Sequence, residues 1–161
     1  RELLELFSLG AGNYTEVGLI ARQARELGIT APLLGGDGWD SPKTVEIGGK
    51  AVDGCYFSNH YSPDDPNPRV QAFIAKFRSR YGEIPDAMAV LGYDAASVLA
   101  DAMKRAGSTD RAKIREALTA TSGFPGVSGD ITFDAGRNAR KSIVILKIEG
   151  GQVKFHERIQ P

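Results

Sequence analysis

The chain has 161 residues, 42% of them hydrophobic and 25% charged, the profile of a folded domain with a real core and not of a disordered segment. Lys and Arg number 20 and Asp and Glu number 20, so a formal net charge of zero gives no argument for a nucleic-acid partner or an anionic membrane surface. No apolar run approaches the roughly 18 residues of a membrane span, and Cys55, the single cysteine, excludes an internal disulfide and a cysteine-based metal cage.

Residues 1–9 lack the apolar core and the small-residue cleavage site of a secretion signal, so a signal peptide is expected to be absent from this chain. Leu3, Leu4, Leu6, Phe7 and Leu9 suit a short buried strand or a helix end, broken by Gly10 and Gly12. A helix follows with Thr15 as its expected cap. Val17, Ile20, Ala21, Ala24 and Leu27 fall at helical spacing, and Gly28 is placed to stop it. Ala31 to Leu34 predicts a strand running into the tight turn Gly35-Gly36-Asp37-Gly38. Ser41-Pro42 is a helix start, with the cap at Ser41 and proline at the first position, and that helix ends at Gly48-Gly49. Val52 to Asn59 is the next strand, with Cys55 a small buried hydrophobe in it. Strand, helix, strand, short helix, strand with glycine turns predicts a parallel sheet in an α/β layer.

Residues 61–68 hold three prolines and two aspartates and read as a crossover loop. Three helices then follow without a strand between them. The first spans about Pro68 to Tyr81, with Val70, Phe73, Ile74 and Phe77 inward. The second runs from an Asp86 cap to Gly107, with Leu91, Ala95, Val98, Leu99, Ala102 and Met103 inward. The third runs from Thr109 or Asp110 to Thr119. Strands are predicted near 129–134, 142–149 and 153–158, the last two joined by the hairpin turn Glu149-Gly150-Gly151-Gln152. Helices with apolar inner faces need a sheet to cover; either the local strands supply it or it lies elsewhere.

Chemistry-bearing motifs are sparse. His60 and His156 stand in no metal-ligand spacing and beside no nucleophile, and each reads as a surface or structural histidine. There is no GxSxG elbow, no GxxxxGK[ST] phosphate loop and no GxGxxG, and an acidic residue inside Gly35-Gly36-Asp37-Gly38 would repel phosphate. No enzymatic activity, cofactor or metal is expected. Asp37 carries the most weight. A carboxylate at the C-terminal end of a parallel strand lies at the edge where α/β sheets bind ligands, and it can hold an ammonium group by a charge-assisted hydrogen bond. The alternative is a turn aspartate bonding its own backbone. Trp39 could wall a pocket or pack in the core; Tyr14 could line the same cleft or pack at a helix start.

At these residues the chain resembles the branched-chain amino-acid-binding proteins, the type I periplasmic-binding fold. The likeness runs through GNYTEVGLIARQARELGI (12–29), APLLGGDGWDSP (31–42) and the stretch GGKAVDGCYFSNHYSPDDPNPRVQAFIAKFRSRYG (48–82). It continues in LGYDAASVLADAMKRAG (91–107) and FPGVSGDITFDAGRNARKSIVILKIEGGQVKF (124–155), so it covers nearly everything after residue 11. The part resembled is the C-terminal half of a periplasmic receptor of the leucine/isoleucine/valine type. The resemblance implies an α/β, three-layer parallel-sheet (Rossmann-like) lobe with extra helices and a C-terminal hairpin. Residues 1–60 would be the α/β part of the second lobe, 61–123 helices belonging to the first lobe, and 124–161 the hinge return and last strands. It also implies that Asp37 holds a ligand ammonium, with Asn13, Tyr14, Trp39 and, from the first lobe, Tyr93 as further ligand-binding candidates. The adjacent tyrosines common in the family at the first turn are here Asn13-Tyr14. The implied partners are a small amino acid and the membrane subunits of an ABC importer, in the periplasm. The rival expectations are a truncated or engineered half-protein that forms a homodimer through exposed helix faces without ligand, and an amino-acid-sensing domain.

Overall fold

The computed structural model describes residues 7–8 and 12–161. Most of the strand or helix end expected at residues 1–11 therefore lies outside the described residues; within it, Phe7–Ser8 (β1) is strand. The chain divides into two compact units, one made of residues 1–64 and 144–158 and the other of 65–143 and 159–161.

The first unit carries a five-stranded sheet in the order β1-β2-β3-β7-β8, where β2 is Leu33–Gly35, β3 Tyr56–Asn59, β7 Ile143–Glu149 and β8 Gln152–Ile159. β1, β2 and β3 run parallel, with Phe7 opposite Leu33 and Gly35 opposite Phe57. β7 pairs antiparallel with β3, and β8 follows it across the Gly150–Gly151 turn, where both glycines take positive φ. The sheet is thus mixed, with its parallel half on the side that leads to Asp37. Helices α1 (Tyr14–Glu26) and α2 (Pro42–Gly48) pack on each other. Strand alternation points Phe57, Val144, Leu146 and Ile148 into one core with Val17 and Ala21 of α1, together with Leu33, Trp39, Val52 and Cys55.

Local chemistry explains the boundaries. Ser41 caps α2, its hydroxyl accepting the Lys43 N–H at 3.2 Å, with Pro42 at the first position. α1 differs from expectation. Its cap position is Asn13, not Thr15, and the Asn13 side chain makes no capping hydrogen bond. The strand expected from Val52 begins only at Tyr56, because Gly49–Val52 winds into a 3-10 turn. Arg25 ties these pieces together. Its guanidinium donates to the carbonyls of Ile29 (2.6 Å), Ala31 (2.8 Å) and Ala51 (3.1 Å) and approaches Cys55 Sγ at 3.6 Å. Cys55 also accepts the Leu33 N–H at 3.3 Å. Burial holds its thiol above the ordinary pKa, outweighing the opposite pull of Leu33 and Arg25.

The second unit holds α3 (Pro68–Tyr81), α4 (Ala87–Ala106) and α5 (Arg111–Thr119), with a three-stranded sheet of β4 (Phe124–Gly126), β5 (Gly129–Phe133) and β6 (Ala139–Arg140). β4 and β6 are too short to register as hydrophobic runs. Asn67, Asp86 and Asp110 cap the three helices through their side chains. The inner face of α4 is rotated from the expected one. Ala87, Val90, Asp94, Val98 and Ala102 are buried, while Leu99 and Met103 are exposed. Asp94 sets that rotation: its carboxylate accepts the N–H groups of Val127 and Ser128, each at 2.8 Å, and the Ser128 hydroxyl at 2.7 Å. A buried carboxylate satisfied by three donors determines which face of the helix turns in.

We expect Arg25→Ala to destabilise the chain by about 2 kcal/mol, since it strips hydrogen bonds to a charged donor from three carbonyls of one corner. Arg25→Lys should recover little of this, because an ammonium cannot reproduce the fork. Urea unfolding followed by far-UV circular dichroism measures both.

Candidate ligand cleft at the ends of the parallel strands

β2 ends at Gly35, and the chain at once turns through a 3-10 turn over Asp37–Trp39. The turn is closed by Trp39 N–H to Gly36 O at 3.1 Å and Asp40 N–H to Asp37 O at 3.0 Å. Trp39 is fully buried and packs on Phe57 with ring centroids 6.0 Å apart. Its backbone carbonyl accepts the hydroxyl of buried Thr44 at 2.7 Å. Gly35 is a steric requirement: a Cβ there would stand 2.0 Å from the indole ring. The turn therefore sits on Trp39, and Asp37 faces out.

The loop that starts α1 comes against this turn. A Cβ on Gly38 would lie 2.7 Å from the Gly12 carbonyl and 3.4 Å from Asn13 Oδ1. Gly12, Asn13, Gly36, Asp37 and Gly38 line a concavity of about 260 Å³. The three glycines bring backbone close to whatever occupies it, and Asp37 is the sole carboxylate among the lining residues.

His60 completes the arrangement, and sequence reasoning set it aside. Counting on from the Gly35–Phe57 register places Asp37 level with Asn59, one residue before His60. Parallel strands end side by side, and here the His60 Nε2 lies 3.3 Å from Asp37 Oδ2. The Asp37 side chain is 56% exposed and that of His60 30%. Among the described residues, Asp37 Oδ1 has no hydrogen-bond partner, and neither has the buried Nδ1 of His60. Strand register is the signal that could have found this pair.

The other expected residues fall as follows. Asn13 lines the concavity. Tyr14, the first residue of α1, is 41% exposed and is not among the lining residues. Trp39 lies in the core beneath the turn and supports Asp37 without walling the concavity. Tyr93 belongs to the other unit, where its ring meets Phe73 at 4.7 Å. A larger groove in the first unit, about 780 Å³, runs between residues 40–46 and the turn at 151–154. Its carboxylates are Asp40, Glu46 and Asp64, of which Glu46 is paired with Lys43 at 3.0 Å. Among the described residues, no cluster of His, Cys, Asp and Glu could hold a metal ion.

A carboxylate and glycine-flanked backbone thus line a small concavity beyond the end of a parallel strand, with His60 in contact with that carboxylate. Comparison with known proteins gives the family. The profile of the periplasmic binding protein family matches residues 8–152, and the chain belongs to that family. It is 36% identical over 152 residues to the Leu/Ile/Val-binding protein homolog 2 of Brucella abortus, an overlap of 91% of this chain and 40% of that protein. Among solved structures it is similar to the leucine-binding protein LivK of Thermotoga maritima, with 44% identity and a TM-score of 0.86 over 98% of this chain and 45% of that one. It is also similar to the branched-chain amino acid transporter substrate-binding protein LivJ of Streptococcus pneumoniae in complex with isoleucine, with 31% identity and a TM-score of 0.81 over the same shares. The chain thus spans less than half the length of the relatives it matches.

Gly38→Ala should push the Gly12–Asn13 loop off the turn, because a real Cβ does not approach a carbonyl oxygen at 2.7 Å. The expected readout is a loss of stability of about 1–3 kcal/mol, with backbone amide shifts changing at residues 12–14 and 36–39. Unchanged amide shifts at both segments would contradict the packing described.

Proposed function

We propose that this chain supplies one wall of the amino-acid site of an extracytoplasmic solute-binding receptor, which delivers a branched-chain or related amino acid to an ABC importer. The observation that carries the proposal is Asp37: an outward carboxylate with a free oxygen, in a glycine-lined concavity at the ends of parallel strands. An α-ammonium has three donors and one charge, and Oδ1 of Asp37 offers the complementary acceptor. The glycines leave room for the ligand's α-carbon to sit against backbone. In this role the protein binds and releases its ligand unchanged, as a receptor and not as an enzyme, and needs no cofactor.

Exposure sets the strength of the interaction. With the Asp37 side chain 56% exposed, water screens its attraction for an ammonium, so the bond is worth roughly 1 kcal/mol or less in the open concavity. The same contact strengthens severalfold once water is excluded. The chain alone should therefore bind amino acids weakly or not at all, and tight binding belongs to the full-length receptor with its cleft closed. The relatives' descriptions as Leu/Ile/Val-binding and branched-chain amino acid substrate-binding proteins support the choice of ligand class. They lend no support to the homodimer expectation.

Isothermal calorimetry of the full-length protein with leucine, isoleucine, valine and a wider amino-acid panel tests this reading. Asp37→Ala should weaken binding of the best ligand by about a hundredfold, the cost of removing one partner of a desolvated charged hydrogen bond. Unchanged affinity would remove Asp37 from the site, and no heat with any amino acid would overturn the ligand class.

A further inference from the structure

We infer that His60 is a positioning residue for Asp37, holding one carboxylate oxygen so that the other is presented to the ligand's cation; the inference rests on the reading of Asp37 given above. Three features of the pair lead to it. Nε2 of His60 stands 3.3 Å from Oδ2 of Asp37, a lining residue of the concavity, across 23 residues of sequence. The opposite nitrogen, Nδ1, is buried and has no hydrogen-bond partner among the described residues. The Asp37 Oδ1 is likewise unpartnered among the described residues.

These features select one tautomer. A hydrogen on Nδ1 would be a buried donor with no acceptor, and Nε2 would then turn a lone pair toward a carboxylate. Both are unfavourable. With the hydrogen on Nε2, the imidazole donates to Oδ2, and only the weaker demand of an unfilled lone pair is buried at Nδ1. The main chain of His60 is held as well. His60 N–H is held by Asn59 Oδ1 at 2.8 Å, and Asn59 is buried at the end of β3. The histidine is thus fixed to the sheet, whereas Asp37 sits on a turn with an exposed side chain that could otherwise take several rotamers. Ordering that carboxylate before the ligand arrives lowers the entropy lost on binding. It also leaves the carboxylate one acceptor oxygen, which favours a compact ammonium over a bidentate guanidinium needing both oxygens.

The test is a set of four variants in the full-length protein, titrated by calorimetry with leucine: His60→Ala, His60→Gln, Asp37→Ala and the double variant His60→Ala with Asp37→Ala. His60→Ala should weaken binding about tenfold, the scale of one hydrogen bond to a charged group. His60→Gln should restore most of the loss, since its amide N–H₂ reaches the place of Nε2. In the Asp37→Ala background, His60→Ala should cost nothing further. An equal loss in both backgrounds would mean that His60 acts on the ligand independently and would overturn the inference. So would unchanged affinity in His60→Ala while Asp37→Ala binds weakly; that result leaves the Asp37 reading standing. If Asp37→Ala binds normally, both fall. A ligand-free measurement on this chain gives a separate decision. Long-range ¹H–¹⁵N correlation of the His60 ring should show the hydrogen on Nε2, and Asp37→Asn should shift that nitrogen. A ring protonated on Nδ1 alone would overturn the inference whatever the titrations give.

Discussion

The indole of Trp39 occupies the space where a side chain at position 35 would have to be. A Cβ on Gly35 would be 2.0 Å from the ring, so β2 must end in glycine for the tryptophan to fold back under the turn. Once it does, Phe57 packs on the ring, Thr44 bonds its carbonyl, and the 3-10 turn between them has one way to run. Asp37 is carried outward at the start of that turn. The position of Asp37 is therefore set by the hydrophobic core, through the largest fully buried side chain in the unit. The core fixes the backbone of the turn in this way, while the exposed Asp37 side chain has its contact in His60 Nε2, 3.3 Å from Oδ2.

The same layout explains why the concavity is built mostly from backbone. Gly38 lets the Gly12 carbonyl approach, and Gly36 has nothing within 4 Å of where its Cβ would be. Open space on one side and bare backbone on the other suit a small ligand held by a few directed bonds. Asn13 adds to this. It occupies the cap position of α1 without using its side chain to cap the helix, so its amide remains at the edge of the concavity.

Much of this was legible in the sequence, and the misses have physical reasons. Caps and turn residues are short-range signals: Ser41-Pro42, Asp86, Asp110 and the Gly150–Gly151 turn each specify their boundary within a few residues, and the structure places elements there. The turn after β2 was legible for the same reason. Thr15 was preferred to Asn13 as the cap because residue preferences do not reveal that Asn13 leaves its own helix uncapped. Of the inner face expected for α4, Val98 and Ala102 are buried here; Asp94 was not expected inward because it counts as polar in any hydrophobic pattern, yet three donors from residues 127–128 hold it inside. His60 was missed because its partner lies 23 residues away, and only strand register brings the two together. Trp39 was ambiguous because burial of an indole depends on a glycine four residues earlier.

The central claim is that the ends of β2 and β3, around Asp37, form the ligand-contacting wall. Backbone and Asp side-chain resonances of the full-length protein, followed by NMR during a leucine titration, test it most directly. The account predicts that the Asp37 carboxyl carbon and the amides of residues 12–13, 36–38 and 60 shift together with the ligand. Shifts concentrated in the groove at residues 40–46 and 151–154, with Asp37 unmoved at saturation, would contradict it.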